Sequence, residues 1–246
     1  MSATLLLSEE FQAPQGEGPH MGRPMYWIRL GGCNQKCKWC DASYAVFFTE
    51  RDAAVHESGR VFKPDEELYR STPNGVAVRV SASNCTTVSV TGGEPLLQQD
   101  AIGDLMDHPL MAGKLVSFET AGTIVPYRLA QYENTWFNVS PKLASSGNPQ
   151  QVRRVPEALE ALAALPGCFK FVLDTRSPLY EADLSEVEYL VREHAIPPDR
   201  VWLMPCGTTA DEVAHGMRIL EPLALARQWN LSARLQIFMH GDARGF

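Results

Sequence analysis

Residues 26–43, YWIRLGGCNQKCKWCDAS, decide how the rest of the chain is read. Tyr26 to Leu30 is an apolar run of strand length, and the pair Gly31-Gly32 lets the backbone turn sharply after it. Cys33, Cys37 and Cys40 then follow at the spacing C-x3-C-x2-C. A strand that ends in two glycines and a tight cysteine cluster presents three thiolates on one loop. The number is informative, because structural zinc sites usually close with four ligands, whereas three cysteines leave one metal of a cluster open. The spacing matches the paired zinc patterns poorly. A zinc knuckle completed by Cys85, Cys206 or a histidine stays open at this point.

Working outward, the 246 residues are enough for one sizeable core, and one domain spanning 1–246 is expected. Hydrophobic residues make up 45% and charged residues 21%, ordinary values for a globular chain. No apolar run approaches a membrane span and no charged n-region precedes an apolar stretch, so the expected location is the cytoplasm, without a membrane partner. Six cysteines are too few for a disulfide scaffold. A net charge of −7 argues against nucleic acid as a partner and favours a small-molecule substrate.

Downstream, short apolar runs alternate with helical patterns, and glycine or a polar group follows several of the runs. Thr87 to Val90 runs into Thr91-Gly92-Gly93-Glu94-Pro95, and Leu115 to Phe118 into Glu119-Thr120-Ala121-Gly122-Thr123. Thr135 to Val139 leads to Ser140-Pro141-Lys142, and Val201 to Met204 closes on Pro205-Cys206-Gly207; Phe169 to Leu173 is a further strand. Helices are expected over 95–106, 156–165, 184–194 and 210–228. Such alternation implies right-handed crossovers and a mostly parallel sheet. No G-x-G-x-x-G opens the first helix, so an incomplete β/α barrel suits the pattern better than a dinucleotide-binding sheet. Residues 14–24 read as a loop, and residues 44–86 as an insertion with one short helix near 64–70 and a turn at 72–75. The tail RLQIFMHGDARGF reads as a final strand and a short exposed end. Cys85, Cys168 and Cys206 are expected as small buried hydrophobes, and lone His20 and His240 as bystanders.

The cysteine spacing resembles that of radical S-adenosylmethionine (SAM) enzymes, in which three cysteines hold a 4Fe-4S cluster and SAM chelates the fourth iron. FQAPQGEGPHMGRPMYWIRLGGCNQKCKWCD is similar to the opening of one such family, the 7-carboxy-7-deazaguanine synthases, with Gln15-Gly16-Glu17-Gly18, Gly22-Arg23-Pro24 and Ile28-Arg29-Leu30 at matching distances ahead of Cys33. The resemblance runs from about Phe11 to Gly207. It implies a radical SAM partial β/α barrel that converts 6-carboxy-5,6,7,8-tetrahydropterin to 7-carboxy-7-deazaguanine with loss of ammonia, as in queuosine-type 7-deazapurine biosynthesis. It also implies a homodimer and a flavodoxin- or ferredoxin-type electron donor.

Residue by residue, the resemblance assigns Cys33, Cys37 and Cys40 to the cluster. Gly93, Glu94, Ser140, Pro141, Lys142, Met204, Pro205, Cys206 and Gly207 fall to SAM. Pro14, Gln15, Gly16, Glu17, Arg29 and Thr91 fall to the pterin. Glu119 is the candidate for moving a proton. Arg29 lies in an otherwise apolar strand, where a charge is costly unless paired. It is expected either to clamp the substrate carboxylate or to pair with Glu17 or Glu119. The chain departs from the family pattern at Ala121, Met204, Cys206 and Ala42. The family carries threonine or serine at this last position for a magnesium ion, which leaves Ser43 as the nearest hydroxyl. The alternatives are a radical SAM activase that takes hydrogen from a glycine of a partner protein, and a zinc-stabilised binding module without turnover.

Overall fold

The computed structural model describes residues 4–245. In chain order they form β1 (Leu5–Pro14), β2 (Pro24–Leu30), α1 (Glu50–Ala53), α2 (Pro64–Glu67), β3 (Tyr69–Ser71), α3 (Pro73–Ala82), β4 (Thr87–Gly92) and α4 (Gln99–Met106). There follow β5 (Leu115–Thr120), β6 (Thr135–Val139), α5 (Gln150–Arg153), α6 (Pro156–Ala163), β7 (Gly167–Leu173), α7 (Tyr180–Glu193), β8 (Val201–Pro205), α8 (Ala210–Arg227), β9 (Asn230–Leu231) and α9 (Leu235–His240). The strands make one sheet in the order β3-β1-β2-β4-β5-β6-β7-β8-β9. From β2 to β9 every neighbouring pair is parallel, and β1 pairs antiparallel with both β2 and β3. The terminal strands β3 and β9 do not meet, so the barrel is incomplete, as the sequence predicts.

Period-two alternation along these strands produces two unlike faces. Val88 and Val90, Val116 and Phe118, Phe137 and Val139, and Phe169 and Phe171 all point into the main core. There they meet Val76 and Val80 of α3, Ile102 and Leu105 of α4, Leu159 and Leu162 of α6, Val187 and Leu190 of α7 and Leu220 of α8. Most of the intervening residues are polar and point the other way: Ser89 and Thr91, Ser117 and Glu119, Asn138 and Ser140, and Lys170. Helices therefore cover the apolar face, and the polar face lines the concave interior.

Two segments differ from the sequence reading. Residues 69–82 are regular structure rather than an irregular insertion: β3 extends the antiparallel edge of the sheet and α3 buries Val76, Ala77 and Val80. The supposed turn at 72–75 is a helix start. Thr72 Oγ1 accepts the Gly75 N–H at 3.1 Å, and Pro73 sits where its missing N–H costs nothing. The tail is not a strand. After the two-residue β9 it forms α9 and folds back over the carboxyl ends of the strands.

Candidate active site at the carboxyl ends of the parallel strands

Gly31-Gly32 and Gly92-Gly93 are adjacent glycine pairs, which is why both are needed. A side chain at Gly93 would overlap the Gly32 carbonyl, and Gly92 has φ +119 against the Leu30 backbone. This approach lets Gly93 N–H donate to Leu30 O at 3.0 Å and Glu94 N–H to Gly32 O at 2.9 Å. The cysteine loop is thus fastened to the end of β4. Glu94 is fully buried and already engaged: Oε1 accepts from Leu96 N–H (3.1 Å) and Thr120 Oγ1 (2.7 Å), and Oε2 from Ala121 N–H (2.8 Å). Its carboxylate joins β4 to the β5 loop, so the group that the resemblance gives to SAM is held by three donors of the chain itself. Burial raises its pKa in spite of those donors.

The three thiols are near one another and are supplied with donors. Gln35 N–H points at Cys33 Sγ (3.4 Å), Asn148 Nδ2 at Cys37 Sγ (3.2 Å), and the Ala42 N–H at Cys40. Burial pushes the Cys33 thiol up to about 11 and raises Cys37 and Cys40 as well, while Lys142 pulls Cys33 and Cys37 back down. Lys142 Nζ donates to Ser140 Oγ at 3.1 Å and lies 5.8 Å from the centre of the Trp39 ring. Cations near the thiols and N–H donors on their sulfurs suit an anionic iron–sulfur cluster. Among the described residues, no three His, Cys, Asp or Glu side chains converge on a single-ion position. A cubane takes its thiolates at separate corners, so it does not require such convergence.

Magnesium is a different matter. Ala42 is 2% exposed and packs with Tyr44, Ala45, Val46 and Phe47, offering no oxygen. Ser43 lies in the short turn 43–45, where its carbonyl serves Val46 N–H and Phe47 N–H. Ala42 supplies no ligand atom, and among the described residues no group of three His, Cys, Asp or Glu side chains stands there for such an ion.

Deeper in the interior lies a buried charge network. Lys170 Nζ donates to Glu17 Oε2 and, at 3.1 Å, to Glu119 Oε2. Glu119 Oε1 also accepts from Gln15 Nε2 and Asn138 Nδ2, each at 3.0 Å. Glu17 Oε1 accepts from Gln236 Nε2 (2.8 Å) and Arg234 Nε (3.3 Å). Arg234 spends its other nitrogens on Gly207 O (2.6 Å) and Asp41 Oδ2 (3.3 Å). Burial alone would raise the Glu17 carboxyl, but Lys170 and Arg234 hold it down at about 2. Burial raises Glu119, and the neighbouring Glu17 charge adds to that against Lys170.

Arg29 belongs to neither alternative pairing. Its Nε donates to Glu9 Oε1 at 2.7 Å, and Tyr44 Oη donates to the same oxygen at 2.7 Å. No other hydrogen bond of that guanidinium is formed among the described residues. Thr91 is in register with Arg29 across β2 and β4. Pro14 ends β1 opposite Pro24, and Gln15 closes the loop base through Arg23 O and Gly22 N–H, both at 2.8 Å. Gly16 O accepts Leu235 N–H at 2.8 Å, and Gln236 fills the space beside Gly16. Met204 and Pro205 end β8 and Cys206 and Gly207 follow it, with Cys206 N–H on Leu173 O at 2.8 Å. Pro141 is buried between Ser140 and Lys142.

Sequence reasoning missed Glu9, Asn138, Lys170, Arg234 and Gln236. Lys170 carried a usable signal: a lysine in the strand Phe169-Lys170-Phe171-Val172-Leu173 is as anomalous as Arg29 in its own strand. Arg234 and Gln236 gave none, because the tail reads as a plain surface segment.

An open β/α barrel with a three-thiol loop after its first parallel strand, and polar groups converging at the strand ends, defines the radical SAM class. A scan against protein-family models finds no match. The chain is 32% identical to a 7-carboxy-7-deazaguanine synthase from Pyrobaculum aerophilum over 100% of both chains. It is 31% identical to one from Rhodopirellula baltica, covering 99% of this chain and 89% of the relative. The chain belongs to the 7-carboxy-7-deazaguanine synthase family. Its fold matches the crystal structure of QueE from Escherichia coli with a TM-score of 0.67 and 24% identity, covering 93% of each chain.

Proposed function

We propose that this protein converts 6-carboxy-5,6,7,8-tetrahydropterin to 7-carboxy-7-deazaguanine and ammonia. The observation that carries the reading is the joining of Gln15 and Glu17 of the glycine-rich loop to Glu119 at the strand ends, in the same interior onto which the cysteine loop is fastened. Cys33, Cys37 and Cys40 would hold the 4Fe-4S cluster, with Ser140 and Lys142 beside SAM. The bound cluster and SAM supply the radical that takes hydrogen from the pterin.

The chain's own contribution is placement. The Gln15 amide, the Thr91 hydroxyl and the two carboxylates match the mixed donor and acceptor edge of an aminopyrimidinone ring. Arg29, braced by Glu9, offers a cation to the substrate carboxylate. Glu119 is the group that exchanges a proton. The fastened glycine pairs and the tail keep water away from a radical that would attack any misplaced group. A small flavodoxin- or ferredoxin-type donor and a homodimer complete the reading.

The test is anaerobic turnover of reconstituted protein with SAM, dithionite and the tetrahydropterin, following product by mass. Product without net SAM consumption is expected, and Cys37→Ala should abolish it. SAM cleavage with an untouched pterin would overturn the substrate assignment.

A further inference from the structure

Two carboxylates in one buried pocket normally oppose each other, and one of them must give way. Glu17 and Glu119 meet on a single atom, Lys170 Nζ, and Lys170 is 4% exposed. Phe169 and Phe171 of the same strand face the core on the other side of the sheet. Replacing a buried ion pair by an apolar residue of similar volume is often neutral or stabilising, so stability alone does not call for a lysine here.

We propose that Lys170 is a positioning residue that divides labour between the two carboxylates. It holds Glu17 as a permanent anion and leaves Glu119 as the member that exchanges a proton with the substrate. The inference rests on the pterin reading above.

The surroundings of the two groups are unequal. Glu17 has Lys170, Arg234 and Gln236 donating to it, two of them cations. Glu119 shares only the one cation, its other donors being the neutral amides of Gln15 and Asn138. The other titratable or charged groups nearby are Cys168, next to Lys170 on β7, and Asp41, which reaches the network through Arg234. Burial and the Glu17 charge both favour the acid form of Glu119. Environments that separate two neighbouring carboxylates in this way assign acid and anion roles.

Loss of ammonia needs such a group. Glu119 in its acid form gives its proton to the leaving nitrogen, which departs with the electron pair of the breaking C–N bond. The resulting carboxylate takes a proton from the adjacent ring carbon, and that C–H electron pair becomes the new ring double bond. Glu119 ends as it began, and no external oxidant or reductant enters the step.

The experiment compares wild type, Lys170→Gln, Lys170→Arg and Glu17→Gln, each reconstituted with cluster and SAM. It records the pH dependence of 6-carboxypterin binding by fluorescence and of kcat for the tetrahydropterin. Removing the cation should move the Glu119 limb of both profiles to higher pH by about one unit or more, while Lys170→Arg keeps it within a few tenths. Glu17→Gln removes the like charge and keeps the lysine, so its limb should move to lower pH. That opposite shift keeps the proposal falsifiable should Lys170→Gln fail to fold. Superimposable profiles for folded Lys170→Gln or for Glu17→Gln would overturn the role of Lys170 and leave the substrate assignment standing. Wild-type protein that neither binds 6-carboxypterin nor converts the tetrahydropterin would overturn both.

Discussion

At the scale of single residues, the groups that touch sulfur matter as much as the cysteines. Asn148 Nδ2 donates to Cys37 Sγ, and its Oδ1 accepts Lys36 N–H at 2.8 Å, so one buried side chain supports both the ligand and the loop. Losing such support around a metal ligand typically costs roughly 10–100-fold in affinity. Asn148→Ala should therefore release iron to a chelator at concentrations roughly 10–100-fold lower than wild type, while far-ultraviolet circular dichroism stays unchanged. Equal iron retention would show that the amide is not supporting the ligand. Arg29 teaches a related lesson. A charge in an apolar strand was legible as an anomaly, but its partner, Glu9, lies on the antiparallel neighbour β1, and no local pattern points across that pairing.

Among the elements, the parallel strands were legible because their apolar positions alternate and glycine or polar groups follow several of them. The four expected helices and five of the downstream strands fall close to where they were placed. Residues 69–82 were not legible, since Thr72-Pro73-Asn74-Gly75 carries the residues of a turn and of a helix start alike. Only tertiary burial of Val76, Ala77 and Val80 decides between them. The cap itself is testable. Thr72→Ala removes the acceptor for Gly75 N–H and should cost about 1 kcal/mol, read as a melting temperature lower by roughly 2–4 °C with turnover unchanged. The tail was misread for a different reason. Ile237 is its one buried apolar residue in α9, too little for any periodicity to show.

For the whole molecule, the interior charges tie stability to pH. Glu17 falls from 4.5 to about 2 on folding, so its contribution is present above pH 4.5 and is lost as pH falls through about 2. That shift corresponds to about 3 kcal/mol, part of which Glu119 would recover once its like-charged neighbour is gone. Glu17→Gln should therefore lower stability by about 1–2 kcal/mol at pH 7. The gap between its melting curve and that of wild type should close steadily as pH is lowered from 4.5 toward 2. A constant gap across that range would assign the loss to packing rather than charge.

The folding back of the tail has a consequence for the order in which the protein is made. Ser232 and all that follows it leave the ribosome after every strand of the sheet, yet Gly18 N–H is bonded to Ser232 Oγ at 2.8 Å. Leu235, Arg234 and Gln236 then close on Gly16 and Glu17, with 217 positions of chain separating Glu17 from Arg234. A nascent chain can thus align its whole sheet while Glu17 still lacks two of its donors. The interior charge network is completed last, by segments far apart in the order of synthesis, so a chain halted before Ser232 lacks the donors that finish it.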